Sequence, residues 1–347
     1  MGNINPGSLS HSSVEGAQHG AKGLLGFLDF AQASGAVGAQ PSCSMLEKPN
    51  GGFMSAVEIR NAFGDLKIDG ISAHGLTWLL GSAFTESKTI CPFVPKGLRG
   101  ESVSKIEKYA EEYILRLLDL CAELGVKVIP MFWGVMWGWE VATGYPWGFW
   151  KGDGYDLITE GDERAVRLTA KIRARAKELG IIFAHEIHGG TGAMTAQDYL
   201  RMHDLFGGEA CGVNFDPSHC WEGESWQRRL ELVGPHVVGA HVKDHIVRDG
   251  HPLRCMEPDW QRRPMQFTAL GAGQIDLLEY AQQLQVVGYH RRYCELMGTK
   301  TAPLVVEAEG AFEDLDSVSA AGIWFVNDVL CFPQAAGSFE DGMGAQD

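Results

Sequence analysis

The residues with the most chemical content form four short segments, each closing an apolar run. They are His185-Glu186-Ile187-His188 after Gly180-Ile181-Ile182-Phe183-Ala184, Val213-Asn214-Phe215-Asp216-Pro217-Ser218-His219, Gly239-Ala240-His241-Val242-Lys243-Asp244, and Val305-Val306-Glu307-Ala308-Glu309. Read as buried strands, they send alternate side chains to opposite faces. Glu186 then shares a face with His188, Asn214 with Asp216, His241 with Lys243, and Glu307 with Glu309. Ionisable groups at the ends of buried strands are costly unless something uses their charge. A divalent cation would. Two glutamates, one aspartate and one histidine make a mixed oxygen and nitrogen donor set. That set suits Mn²⁺, Co²⁺ or Mg²⁺, and Zn²⁺ less specifically. No cysteine takes part, which disfavours a structural zinc site.

Each segment alone has a plainer reading. A strand-end histidine is more often hydrogen-bonded structure than a ligand. Glu309 by itself reads as a surface carboxylate or one standing behind the ligands, and Lys243-Asp244 as an ion pair. Gly189-Gly190-Thr191-Gly192 precedes a helix at Thr195 and reads either as a phosphate cradle or, preferably, as a tight βα turn. Four consecutive strands that each end in a candidate ligand outweigh these separate readings. The sequence has no GxSxG elbow, no GxxxxGK[ST] loop and no GxGxxG after a strand.

The elements that must position these residues alternate strand and helix, which predicts βα units and a parallel sheet. The expected strands are Asn3–Asn5, Ala36–Ser42, Ile68–His74 (ending in Ser72-Ala73-His74), Val126–Met131, the segment ending at Glu186, Cys211–Asp216, Val237–Val242 and Leu304–Glu307. The expected helices cover Leu24–Ala31, Phe53–Phe63, Ser102–Leu124, Asp162–Leu179, Thr195–Phe206, Trp226–Val233, Ile275–Val286 and Leu315–Leu330. A chain of 347 residues suits one α/β barrel of about 250 residues plus insertions. The expectation is a single (β/α)8 TIM barrel over residues 1–331 with a C-terminal tail at 332–347. Long loops follow only the third, fourth and seventh strands, on the face where a barrel keeps its chemistry. The loop Phe132–Trp150 holds Trp133, Trp137, Trp139, Trp147 and Trp150 together with Glu140. Indoles stack on the C–H faces of sugar rings. Trp137, Glu140 and Trp147 are therefore expected to line a substrate wall, with two or three of the loop's tryptophans left to packing. His74 and, from the loop Lys243–Gly273, Arg254 are further expected substrate contacts.

The formal net charge of −15 argues against a nucleic-acid partner. No apolar run reaches the roughly 18 residues of a membrane span. Met1–Gly23 is polar and lacks a signal-peptide core. The eight cysteines are scattered without a CxxC pair and read as reduced, mostly buried thiols, so a cytoplasmic location is expected.

With HEIH, NFDPSH, HVKD and VVEAE in this order, the chain resembles the xylose isomerase-like TIM barrels, the sugar phosphate isomerase/epimerase superfamily. The resemblance covers about residues 24–330. It implies Glu186, Asp216, His241 and Glu307 as metal ligands, with His188, His219 and Lys243 around the substrate. In the epimerase branch, the glutamates matching Glu186 and Glu307 also move protons. The endonuclease branch has more histidines, three metals and a basic groove, which this chain's charge and ligand count do not fit. A divalent metal, Mn²⁺ first, is the expected cofactor. Such a cation binds a carbonyl and a neighbouring hydroxyl oxygen and acidifies the carbon between them, while a carboxylate or His188 takes the proton. The expected reaction is isomerisation or epimerisation of a keto sugar or sugar derivative. The alternative is a lyase of the same fold that cleaves 3-keto glycosides by β-elimination, or a keto-inositol dehydratase. A non-catalytic sugar-binding barrel would need no metal, and the intact ligand set argues against it. No phosphate clamp is evident. Either a homo-oligomer or a small partner subunit is compatible with the sequence.

Overall fold

The computed structural model describes residues 9–49, 51–80, 94–134, 157–220, 223–248, 259–310 and 312–331. Six parallel strands run in the order β1-β10-β7-β6-β5-β4. They are β1 (Ser10–Val14), β4 (Val128–Met131), β5 (Ile182–Glu186), β6 (Cys211–Phe215), β7 (Val237–Val242) and β10 (Ala302–Val306). A short parallel pair, β2 (Gly38–Ala39) and β3 (Lys67–Ile68), fills the gap between β1 and β4. Val37 N–H donates to Ser12 O at 3.1 Å and Gln40 N–H to Val14 O at 2.9 Å, which joins β2 to β1. Ala73 N–H donates to Pro130 O at 2.8 Å, which joins the end of the β3 segment to β4. The ring therefore closes on eight strands, as expected from the alternation of strand and helix signals.

The helix layer consists of α1 (Gly23–Ala33), α2 (Ala56–Phe63), α3 (His74–Leu79), α4 (Val103–Leu124), α5 (Leu157–Leu179), α6 (Ala196–Leu205), α7 (Trp226–Val233), α8 (Leu277–Val286), α9 (Tyr289–Met297) and α10 (Leu315–Phe325). Buried apolar residues on these helices, such as Phe27, Ile59, Leu117, Ile172, Leu230, Leu284 and Ile323, pack against the outside of the barrel. The amphipathic period of α4 is legible for this reason: Ile106, Ala110, Tyr113, Ile114, Leu117, Leu118 and Cys121 are all buried. Among the described residues no helix is long and apolar enough to cross a membrane. The described cysteines are all free thiols, most of them buried; Cys91 and Cys255 lie outside the described residues, as does the tail 332–347.

Several expectations need correction. The expected strand Asn3–Asn5 lies outside the described residues; among them the first barrel strand is Ser10–Val14, paired along its length with β10. Its sequence, Ser-His-Ser-Ser-Val, is polar yet wholly buried. His11 reaches Asp69 across the barrel interior, while Ser10 on the opposite face meets His290 of α9 at 2.6 Å. Ser10 and His11 are paired with distant polar partners, whereas the small Ser12 and Ser13 hydroxyls are buried without a hydrogen bond among the described residues; a search for apolar runs passes over such a strand. The third segment ends earlier than expected, and His74 opens α3 instead of closing a strand. The link before β10 contains α9. The loop after β7 carries an antiparallel hairpin, β8 (Asp244–Val247) with β9 (Met265–Thr268). The last helix runs to Phe325 and finishes in a π turn, Val326–Leu330.

Asp244 organises that hairpin. Its carboxylate accepts the backbone N–H groups of His245 (2.9 Å), Gly271 (3.1 Å), Gly273 (3.0 Å) and Ile275 (3.2 Å). A Cβ at position 273 would lie 2.1 Å from Asp244 Oδ1, so only glycine fits there. Asp244 thus caps a loop, and the Lys243-Asp244 ion pair does not form.

Burial pushes the His290 imidazole down to about 4. A base whose folded-state value lies below its unfolded value is neutral when folded and charges on unfolding, so its contribution is complete above the unfolded value and disappears as pH falls toward 4. The shift corresponds to about 3 kcal/mol between roughly pH 6.5 and 4. We expect the melting temperature of the wild type to fall over that window, and His290→Gln to show a visibly shallower fall. An unchanged pH slope in the variant would assign the acid sensitivity to other groups.

Candidate metal centre

Strand geometry delivers the four candidate ligands to one point. Glu186 ends β5, Asp216 follows β6, His241 lies one residue before the end of β7, and Glu307 follows β10. The registers Glu186 with Asn214 and Val305 with His241 set these ends side by side. One donor atom from each of Glu186, Asp216, His241 and Glu307 lies within 4.8 Å of the others, and all four residues are buried. His241 Nδ1 lies 3.2 Å from Glu186 Oε2 and 3.0 Å from Glu307 Oε2.

Neighbours fix these groups. Asn214 Nδ2 donates to Glu186 Oε2 at 3.1 Å, and Ser218 N–H donates to Asp216 Oδ1 at 2.7 Å. Gln18 Nε2 donates to Glu307 Oε1 at 2.7 Å. His219 Nε2 stands 3.2 Å from Glu186 Oε1 and 3.3 Å from Asp216 Oδ2. Lys243 is buried, with its ammonium 3.2 Å from Glu307 Oε2, 3.7 Å from Asp216 Oδ2 and bonded to Glu309. Phe267 of β9 covers the same ammonium, its ring centre 4.1 Å away. His74 Nε2 approaches Glu186 Oε2 at 3.4 Å. The His188 ring packs 4.1 Å from that of His219 and 5.0 Å from Phe132.

The electrostatics follow from burial and this mixture of signs. Burial opposes the Glu186 charge, but His241, His219 and His74 outweigh it and hold the carboxyl well below the usual range. Glu307 is likewise opposed by burial and held down to about 2 by Lys243 and His241. Burial works against the His241 and Lys243 cations as well, yet the surrounding carboxylates raise both well above their ordinary values. His188 faces no such excess of carboxylate, and burial pushes it down to about 3.

The donor set fits a divalent cation on a further observation. Among the described residues, Asp216 Oδ2 is buried and accepts no hydrogen bond, with His219 and Lys243 as its ionic neighbours. A buried carboxylate oxygen left unbonded at the meeting point of two glutamates and an imidazole is the arrangement a cation resolves. The absence of thiols and the excess of carboxylate oxygens favour a hard or borderline ion.

A family model described as xylose isomerase-like TIM barrel matches residues 71–311. The chain belongs to this family. Solved structures agree on the fold of this xylose isomerase-like barrel. Protein SMc04130 from Sinorhizobium meliloti 1021 is 19% identical, with 94% of this chain and 100% of that chain covered and a TM-score of 0.59. The probable 3-DHS dehydratase AsbF from Bacillus anthracis is 13% identical over 92% of this chain and 99% of its own, at 0.58. The 3-keto-D-glucoside 4-epimerase YcjR from E. coli is 13% identical over 91% and 98%, at 0.57. No curated protein matches the chain in sequence.

The barrel thus gathers Glu186, Asp216, His241 and Glu307, with His74, His188, His219 and Lys243 around them. Trp137, Glu140, Trp147 and Arg254 lie outside the described residues. Trp133, from the same tryptophan-rich loop, is buried against Phe183 (5.4 Å) and Phe206 (5.3 Å), which makes it a packing residue. The glycine segment is a closed turn: Thr191 Oγ1 donates to His188 O at 2.7 Å and Ala193 O at 2.9 Å, and Gly192 N–H donates to Trp133 O at 2.9 Å. Of the two readings of Glu309, the structure has the one behind the candidate ligands: it accepts from Lys243. Glu15, Gln18 and Gln40 were not anticipated as neighbours of the site. Glu15 continues the inward alternation of His11 and Ser13, a pattern that so polar a strand does not advertise in the sequence.

Saturating Mn²⁺ is expected to stabilise the chelator-treated protein by about 2.7 kcal/mol at roughly a hundredfold excess over Kd, a rise of several degrees in Tm. Asp216→Asn should lose most of that rise. A Tm indifferent to Mn²⁺, Co²⁺, Mg²⁺ and Zn²⁺ alike would remove the metal reading.

Proposed function

We propose that this chain is a divalent-cation-dependent sugar isomerase or epimerase that moves a proton on a carbon beside a carbonyl of a keto sugar or sugar derivative. The observation that carries this reading is the pair Glu186 and Glu307. Both are buried, both are held ionised, and they approach the same imidazole nitrogen from β5 and β10.

Glu186, Asp216, His241 and Glu307 would hold the cation, Mn²⁺ by preference. The bound ion supplies Lewis acidity to the substrate's carbonyl and neighbouring hydroxyl oxygens. The chain's own groups do the rest. One glutamate takes the proton and the other returns it; return to the opposite face inverts the centre, and return to the adjacent carbon exchanges aldose and ketose. His188, His219, His74 and Lys243 would surround the substrate. His188 Nδ1 donates to Gly189 O at 2.6 Å, which leaves Nε2 as an acceptor for a substrate hydroxyl. Phe132 and Phe267 would present apolar faces to the ring and exclude water from the reacting carbon. The strongly acidic chain and the carboxylate-rich site suit a neutral sugar and offer little to a nucleic acid.

A second reading, β-elimination from a 3-keto glycoside or a related dehydration, is favoured by Lys243. Its buried ammonium sits 3.2 Å from Glu307, a proton donor beside a base, as departure of a leaving group requires. The similar folds of a 3-keto-glucoside epimerase and a probable dehydratase are compatible with either outcome.

The test is deuterium exchange into ketoses and 3-keto glycosides in D₂O, followed by NMR with and without chelator. The wild type should exchange a single C–H in a metal-dependent manner. Glu186→Gln and Glu307→Gln should each lower net turnover by about 10²–10⁴-fold while the barrel stays folded. Each variant should retain at most exchange from one epimer. Wild-type rates in either variant would cancel that residue's role, and release of an aglycone or water would select the elimination.

A further inference from the structure

His241 turns its two ring nitrogens to different surroundings. Nδ1 faces Glu307 and Glu186 at 3.0 and 3.2 Å. Nε2 points down the barrel axis, 3.1 Å from Gln40 Oε1 and 3.8 Å from Glu15 Oε2. A neutral imidazole that ligates through one nitrogen carries its proton on the other, and the acceptor placed at that other nitrogen decides which is which.

We propose that Gln40 is the positioning residue for the cation site: its amide oxygen accepts the His241 Nε2–H and thereby leaves the Nδ1 lone pair for the metal. This inference rests on the reading of the four-residue cluster as a cation site, and not on the sugar chemistry.

Gln40 is built to hold that geometry. It is 2% exposed, and its backbone is tied on both sides, with its N–H donating to Val14 O and its carbonyl accepting from Gly16 N–H, both at 2.9 Å. The far end of its side chain is seated against Gly70. A Cβ at position 70 would lie 2.8 Å from Gln40 Nε2 and 3.3 Å from Val128 O, and φ there is +153°, so a glycine is required. The amide nitrogen therefore lies beside Gly70 and the oxygen faces the imidazole. Glu15 does not compete. Its Oε1 accepts Ser72 Oγ–H at 2.7 Å and Ala17 N–H at 3.0 Å, which keeps Oε2 beyond hydrogen-bond reach of Nε2. A neutral acceptor has a further advantage. Three carboxylates already crowd the cation position, and an amide orients His241 without adding a fourth.

The experiment compares Gln40→Met, near in size but without an acceptor, with Gln40→Glu, which keeps one. Mn²⁺ affinity is measured by calorimetry on the chelator-stripped full chain, alongside the melting temperature of the stripped protein. Imidazole ¹⁵N–¹H correlation spectra are recorded on the wild type loaded with diamagnetic Zn²⁺. Gln40→Met should bind Mn²⁺ about tenfold to a hundredfold more weakly, Gln40→Glu should match the wild type or exceed it, and the His241 signals should show a protonated Nε2 and a ligating Nδ1. The inference is overturned if Gln40→Met binds as the wild type does, if both variants lose affinity equally, or if His241 ligates through Nε2. Should Gln40→Met fail to fold, the wild-type spectrum alone decides. A wild type that takes up no cation removes the underlying metal reading and this inference with it, whereas wild-type binding with an unaffected Gln40→Met removes this inference alone.

Discussion

The constraint on which the site depends is the confinement of like charge. Glu186, Asp216 and Glu307 converge at the mouth of the barrel, all of them buried and held ionised, while burial pushes Glu15, directly beneath, toward its neutral form. Carboxylates so placed repel one another strongly in a medium of low dielectric. The protein answers with His241, His219 and Lys243, each drawn to more than one carboxylate. Positive side chains and a metal ion are alternative solutions to the same excess of negative charge. The mixture therefore keeps the carboxyls ionised, ready to ligate or to accept a proton, while the barrel stays folded around them.

That solution extends down the barrel axis. Below Glu15 the interior holds His11 bonded to Asp69 at 3.0 Å and to Thr301 at 2.8 Å, with Tyr293 donating to the Asp69 carbonyl at 3.1 Å. Hydrophobic packing is left to the shell between strands and helices, where Phe27, Ile59, Leu117 and Leu284 sit. A polar axis inside an apolar shell gives each ligand a fixed hydrogen-bond partner, and Gln40 beneath His241 is the clearest case. The cost is sensitivity to removal of single partners, since a buried group left unbonded loses more than the net value of its bond.

The two layers differ in how far the sequence reveals them. Helix α4 buries an apolar face of regular period, and strands β5 to β7 are largely apolar up to their ends, so both are plain in the sequence. The four candidate ligands are legible too, because charge at the end of an apolar strand is conspicuous. The polar axis is not. Ser10-His11-Ser12-Ser13 has no hydrophobic signature, and the partners that make room for Ser10 and His11 in the interior stand at positions 290, 69 and 301, far away in the chain. Gln40 and Glu15 are hidden for the same reason. The hairpin β8–β9 is hidden differently: it depends on one carboxylate, Asp244, gathering four backbone amides, one from its own strand and three from the loop after β9. The bland reading of Lys243-Asp244 as a pair fails because each residue finds stronger partners elsewhere.

That division bears on specificity. Lys243 and Asp244 are adjacent, yet one faces the ligands and the other fixes the rim. By capping the amides of residues 245, 271, 273 and 275, Asp244 holds the turn that follows β9 against the base of β8. Phe267 is thereby fixed over the Lys243 ammonium at 4.1 Å. A cation under an aromatic face in a desolvated site has little freedom to move. Lys243 is therefore a rigid donor at a set distance from Glu307, whereas a solvent-exposed lysine would sample many positions. Rigid placement favours a group that must meet one particular substrate oxygen, whether a hydroxyl being held during proton exchange or a leaving group being protonated. On the proposed function, the hairpin, more than the candidate ligands, is where this barrel would differ from others with the same four residues, since the ligands would determine which proton becomes acidic and the rim would determine what is attached to the neighbouring carbon.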